Sequence, residues 1–489
     1  MDIQRIIKKN KWLIAIFIVA LLIRIIFIFS MPIKLWDETI YLNLGYDLSK
    51  NPLDYSFSNG WSDFIPSGGD DIYTWPKAGF RAPVLPYLIS IFYLFNLGFL
   101  LNFLIPLIGA LSVVLIYKLG KELFNHKLGL ISSLLFTFIP LHIFYSGRIL
   151  TEVLFTFFVL LTFISFWKGY EKNNKKHKIL FGVFLALALL SRYTALWIMP
   201  IFLLYFLIRD KSFKFLKDKY LWYSIGVFFL TLVPWFIYGL VEYNNPIGAF
   251  IHGFKASAYW GGLQSGYFFF DYWWQMFSIV GLISIFGFLY ILYKKEFLRK
   301  EIYLLLLWFI IFLGIAIYMP HKEERFIIPI IPVLVILSSF FVNKIAKYKE
   351  TLLVIIILIL IISVGLNFHN TFKTYHNVNT DCFEQIEFQL KKIKGDFLMV
   401  SENPPLFRYS IKQESTYYPN ILNEETIREL ENSSSKPVYF LFTRFNSGFE
   451  IEKWQNLKKI MVENYKLEFG CPIDPEVNWI YSNNKNISS

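Results

Sequence analysis

Charge is what this 489-residue chain has least of. Asp, Glu, Lys and Arg together make up 17% of it, against 55% hydrophobic residues. That balance, with a mean hydropathy of +0.47, excludes an ordinary soluble enzyme and places the chain among polytopic membrane proteins. Acids are the scarcer sign, 36 against 48 basic residues, for a net charge of +12. The surplus is spread over alternate loops rather than gathered in one patch, so no nucleic-acid partner is expected. Cysteine is nearly missing: there are two, Cys382 and Cys471, both in the C-terminal region. They admit either a disulfide or two buried thiols. No small-residue cleavage site follows the first apolar run, 12–30, which therefore reads as a membrane span and not a signal peptide. No internal repeat is visible, which counts against a transporter or lipid flippase built from inverted repeats, the main competing class.

Long apolar runs are abundant. They recur at 12–30, 99–119, 128–146, 150–167, 179–191, 194–208, 221–240, 272–293, 301–319, 325–343 and 351–368. The expected fold is thus a polytopic α-helical membrane protein of about 11 spans. Residues 83–97 are short and broken by proline, and read as a helix lying on the membrane surface. Basic residues cluster at Arg5 to Lys11, Lys118 to Lys127, Lys168 to Lys178, Arg209 to Lys219, Lys294 to Lys300 and Lys344 to Lys349. Positive loops stay cytoplasmic, which sets the N-terminus inside and an integral, multi-pass protein in the plasma membrane.

Two exterior loops are long. Residues 31–98 form the first, with surface helices, and include Trp61, Gly68-Gly69, Asp70-Asp71 and Trp75; Asp70-Asp71 reads as a solvated turn. Residues 241–271 are aromatic and glycine-rich. The membrane region runs to residue 369. From 370 to 489 the composition is that of a small exterior α/β domain, with strands near 397–400 and 438–442 and helices near 383–394 and 423–431. Asn432-Ser-Ser and Asn486-Ile-Ser match the glycosylation acceptor pattern.

In this topology the mixed acidic and basic residues at membrane depth fall on the outer side: Asp37, Glu38, Arg81, Arg148, Glu152, Arg192, His252, Lys255 and the run His321-Lys322-Glu323-Glu324-Arg325. A charge at a helix centre costs about 2.5–3.5 kcal/mol, so several on one face imply a hydrated cavity. Arginines suit a phosphate, and carboxylates suit proton abstraction or a metal. The bland readings are an Arg148–Glu152 ion pair, an Arg192 that reaches for headgroups, and an HKEERF turn that only anchors a helix end. Arg24, inside the first span, reads as an internal structural partner.

The ordered strings WDETIYLNLGYDL, FRAPVLPYL, SGRILTEVLF, LALLSRYTALWIMP and PHKEERFIIPIIPVL resemble the GT-C glycosyltransferases over about residues 12–345. The nearest branch is that of the protein O-mannosyltransferases and aminoarabinose transferases. HKEERF is similar to the signature of mannosyltransferases that extend lipid-linked oligosaccharides, and Arg81-Ala-Pro departs from the basic-Pro-Pro pattern of the first branch. The resemblance implies transfer of a sugar from a polyprenyl-phosphate donor to a hydroxyl of a protein, lipid or glycan. Asp37, Glu38 and Glu152 would be catalytic, with Asp37 the general base of an inverting reaction. Arg81, Arg148, Arg192, Lys255 and Arg325 would hold the donor phosphate, and His252, His321, Lys322 and Glu324 would bind substrate. Should a divalent metal (Mg or Mn) take part, Asp37 and Glu152 are its expected ligands.

Overall fold

The computed structural model describes residues 3–31, 34, 36–56, 78–259, 264–344, 349–377, 380–401, 404–417, 424–442, 459–471 and 479–482. Trp61, Gly68-Gly69, Asp70-Asp71, Trp75 and the Asn486 acceptor pattern lie outside these residues. The helices in chain order are α1 (Ile3–Ile28), α2 (Trp36–Lys50), α3 (Val84–Leu94), α4 (Leu101–Leu123), α5 (His126–Thr137), α6 (Pro140–Ser146), α7 (Thr151–Phe166), α8 (Lys175–Ser191), α9 (Met199–Asp210), α10 (Lys219–Tyr243), α11 (Gly248–Tyr259), α12 (Phe268–Asp271), α13 (Trp273–Tyr293), α14 (Lys300–Tyr318), α15 (Ile331–Lys344) and α16 (Lys349–Asn377). The C-terminal region adds α17 (Thr380–Lys392), β1 (Leu398–Ser401), α18 (Pro404–Ile411), β2 (Glu414–Tyr417), α19 (Glu424–Ser433), β3 (Val438–Phe442), β4 (Lys466–Gly470) and β5 (Trp479–Ser482).

Among the described residues, nine helices are long and apolar enough to cross a membrane, and ten if the bent pair α5–α6 counts as one. The remaining predicted span, 179–191, is α8, a 17-residue helix whose first turn is lysine-rich. The bend between α5 and α6 is 64° and has a local cause. Ile139 precedes Pro140 and takes an extended backbone (ψ 116°), and the proline opens the next helix. Within residues 83–97 the helix is α3, Val84–Leu94, eleven residues long and too short to span.

The chain divides into two units. One comprises residues 1–30, 79–85 and 96–370; the other comprises residues 31–78, 86–95 and 371–489. In the first, acids of the lysine-rich loops find cations: Glu122 pairs with Lys168 (3.2 Å) and Lys172, Glu171 with Arg209 (2.8 Å) and Lys300 (2.9 Å), and Asp218 with Lys178 (2.6 Å).

The second unit is built on a five-stranded sheet of order β2-β1-β3-β5-β4. β1 runs parallel to β2 and β3, while β5 is antiparallel to β3 and β4. Alternation along the strands splits the core in two. Leu398, Val400, Val438, Phe440, Trp479 and Tyr481 pack on one face with Ile427 of α19. Met399, Tyr439, Leu441 and Ile480 pack on the other, with α17 and α18 above them. A Cys382–Cys471 disulfide (Cα–Cα 5.6 Å) ties α17 to the residue after β4. The same unit contains α2, which carries Asp37 and Glu38 in its first turn.

Candidate active site

The first unit holds a cleft lined by Glu152, Arg192 and Arg325, with apolar walls from Trp197, Phe312, Ile315, Met319 and Phe326. Each charged residue is delivered by a chain break that its neighbours dictate. Glu152 sits in the first turn of α7, where the unpaired N–H groups of the helix start favour a carboxylate. Arg192 caps the end of α8 with an extended backbone (φ −159°, ψ 124°), at the carbonyl end that favours a cation. Arg325 follows the Met319-Pro320 break that stops α14; Met319 is extended, the conformation favoured before proline.

Glu152 is buried, and both arginines converge on one of its oxygens. Arg192 Nη1 donates to Oε1, and also lies 3.4 Å from the Thr151 hydroxyl. Arg325 Nε stands 3.6 Å from the same Oε1. Arg325 in turn pairs with Glu323 (Nε to Oε2, 2.6 Å), whose Oε1 also meets His321 Nε2 at 2.8 Å. The result is a chain of alternating charges, Arg192–Glu152–Arg325–Glu323, that ends on the His321 ring. Glu152 Oε2 is buried and accepts no hydrogen bond among the described residues. Arg192 spends both of its hydrogen bonds through Nη1 and lies 5.0 Å from the Phe326 ring. Its Nε–Nη2 edge makes no hydrogen bond among the described residues.

The other expected site residues are placed as follows. Asp37 is half-buried and Glu38 fully buried in α2, in the second unit, with Lys34 Nζ 3.8 Å from Glu38. Arg148 is buried, 5.9 Å from the Phe144 ring, and is not among the residues lining the cleft. Arg81 packs on Phe80, and its carbonyl and that of Gly79 accept from the Tyr193 hydroxyl at 3.4 and 2.7 Å. His252 lies between the rings of Phe80 and Tyr243. Lys255 is exposed. Lys322 is buried and donates to the carbonyls of Met319 (2.7 Å) and Gln264 (3.2 Å), holding the turn. Glu324 opens a 3-10 segment and is half-buried. Among the described residues no group of three or more His, Cys, Asp or Glu is placed to hold a metal ion, and Glu152 is already taken by two guanidiniums.

Residues 80–238 match the family profile described as dolichyl-phosphate-mannose-protein mannosyltransferase. An uncharacterized protein of Aquifex aeolicus (strain VF5) is 26% identical over 335 residues, 66% of each chain; the chain thus spans about two thirds of that relative. Across the whole chain the structure is similar to ArnT from Cupriavidus metallidurans bound to undecaprenyl phosphate (TM-score 0.72, 11% identity, 98% of this chain and 99% of that one). It is also similar to the archaeal oligosaccharyltransferase AglB from Archaeoglobus fulgidus, in complex with an inhibitory peptide and a dolichol-phosphate (TM-score 0.58, 13% identity, 88% and 70%). The chain has the GT-C fold. Family match and fold together make it a membrane glycosyltransferase. In this glycosyltransferase, sequence reasoning missed Glu323 as the bridge between His321 and Arg325, although the alternation His-Lys-Glu-Glu-Arg already carried the signal. It also missed Trp197, six residues after the end of α8 and indistinguishable in sequence from any membrane-facing aromatic.

Proposed function

We propose that this enzyme transfers a sugar from a polyprenyl-phosphate-linked donor to a hydroxyl acceptor on the exterior face of the plasma membrane, with inversion. The observation that carries the reading is the Arg192 guanidinium. Glu152 fixes it through Nη1, which leaves the Nε–Nη2 edge for a ligand in a cleft with apolar walls. That edge is the planar fork that binds two phosphate oxygens at once. The apolar walls suit the first isoprene units of the lipid. Arg325, held by Glu152 and Glu323, supplies a second positive charge.

In the proposed reaction the acceptor oxygen attacks the anomeric carbon and the bond from that carbon to the phosphate oxygen breaks. Polyprenyl phosphate leaves with the bonding electrons, and Asp37 takes the acceptor proton. Negative charge grows on the leaving phosphate, and Arg192 and Arg325 stabilise it. The structural relatives support the donor class: one is described with undecaprenyl phosphate and the other with dolichol-phosphate.

The test is Asp37→Asn in purified, folded enzyme, assayed by transfer from a purified polyprenyl-phosphate sugar. The amide cannot take a proton at neutral pH, so turnover should fall by about 10²–10⁴-fold. Activity within a few-fold of wild type removes Asp37 from this role.

A further inference from the structure

Helix α2 carries the proposed base at its start, yet its polar anchors lie further along. Asn43 and Asp47 are four residues apart, hence on one side of the helix, and both are buried. Both meet α18 of the C-terminal domain. Arg408 Nη2 donates to Asp47 Oδ2 at 2.6 Å, with both side chains less than a tenth exposed. Asn43 Nδ2 donates to the Pro405 carbonyl at 2.7 Å. Next to this pair, Lys412 Nζ lies 4.8 Å from the ring of Tyr46 and 4.7 Å from that of Tyr409. On another side α2 presses on α3: a Cβ at Gly45 would come within 2.4 Å of Ile89.

We infer that α18 clamps α2 and thereby sets the rotation and position of Asp37 and Glu38, so that the C-terminal domain acts as a positioning element of the transferase. This inference rests on Asp37 being the base. Two buried charges and an amide are a poor choice if adhesion alone is needed, because apolar side chains of similar volume hold as well. What they add is direction. An ion pair and a hydrogen bond four residues apart hold one register, whereas an apolar contact tolerates rotation. Burial pushes the Asp47 carboxyl above its ordinary range, and Arg408, with a smaller contribution from Lys50, opposes that. A helix that slips by about 1 Å misplaces a base enough to cost about 10²-fold in rate.

The experiment uses the full-length enzyme and steady-state kinetics with a polyprenyl-phosphate sugar. Arg408→Gln and Asp47→Asn should each lower kcat about 10-fold or more while leaving the donor KM within about 3-fold, because Arg192 and Arg325 belong to the other unit. The double variant should be no worse than the worse single one, as expected of two halves of one contact. Arg408→Lys should recover part of kcat. Asn43→Ala keeps the ion pair and should lower kcat by a few-fold, which covers the case where the charge variants fail to fold. Folded variants with wild-type kcat, or with kcat intact and KM raised, overturn the clamp. Asp37→Asn run in parallel separates the two readings. If it is inactive while Arg408→Gln turns over normally, the base stands and the clamp fails; if it is active, the base fails whatever Arg408 does.

Discussion

Arg192 shows how little a residue's type says before its partners are known. Alone at the end of a helix it has the look of an arginine reaching for headgroups. Bound to Glu152 it becomes a fixed, directional donor. Lysine keeps the charge but loses the fork, so Arg192→Lys should lower kcat/KM for the donor by roughly ten-fold. Arg192→Gln should lower it further, because the departing phosphate then loses a partner in a poorly hydrated cleft. Direct donor-binding measurements beside turnover separate the two effects. If the Gln variant binds donor and turns over as wild type does, the phosphate lies elsewhere, and Arg81 with Lys255 is the next pair to test. Glu152→Gln leaves both guanidiniums without their shared anchor and should raise the donor KM as well as lower kcat. A wild-type KM there would argue against an orienting role for Glu152.

At the scale of elements, the break between α5 and α6 exposes carbonyls inside the bundle, and Arg24 of α1 answers it. Its Nη1 donates to the carbonyls of Ala20 (2.9 Å) and Thr137 (3.4 Å), and its Nη2 meets His142 Nδ1 at 3.0 Å. A guanidinium only donates, so Nδ1 accepts and the ring proton sits on Nε2. The reading of Arg24 as an internal partner is therefore given an address: it ties α1 to the segment that leads to Arg148 and Glu152. Arg24→Met removes the donor and strands the Thr137 carbonyl and the His142 nitrogen, each worth about 1–3 kcal/mol when buried and unpaired. The melting temperature in detergent should drop clearly. Gly109→Val should do the same, since even a Cβ there would lie 2.5 Å from Ser146 Oγ and 2.9 Å from Arg24 Nε. Unchanged melting in both variants removes this contact from the account of the bundle.

At the scale of the whole molecule, the disulfide and the charge pattern make one claim about sidedness. Lysine-rich loops belong inside, and a disulfide belongs outside. Single cysteines placed at Ser56 and Ser433, with Cys382 and Cys471 replaced, should react with an impermeant thiol reagent on intact cells. A cysteine at Asn174 should not. Labelling at Asn174 alone inverts the topology and moves the proposed site to the wrong face. The Cys382–Cys471 link spans 89 residues, so reducing it frees a long loop and should cost the C-terminal domain about 4–5 kcal/mol on the chain-entropy estimate. Loss of that domain's thermal transition under reductant, with the membrane helices still folded, is the expected calorimetric result.

What the sequence determined by itself was everything that hydropathy and local pattern decide. Spans, the short apolar helix at 84–94, the β1 and β3 strands and the helices α17 and α19 were legible because each depends on residues close in the chain: an apolar run long enough to cross a bilayer, a proline that stops a helix, a two-residue alternation. Glu152, Arg192 and Arg325 were legible as candidates, since an ionised group near hydrocarbon is too costly to be placed idly. Which of them meet was decided only by the tertiary structure. Glu152 and Arg192 are neighbours across 40 residues, and Asp47 and Arg408 across 361. An ion pair is a matter of a few ångströms between side chains, and nothing in local propensity encodes that distance. For the same reason the union of α2 with the C-terminal domain in one unit could not be read from the chain, where the two are separated by most of the membrane helices.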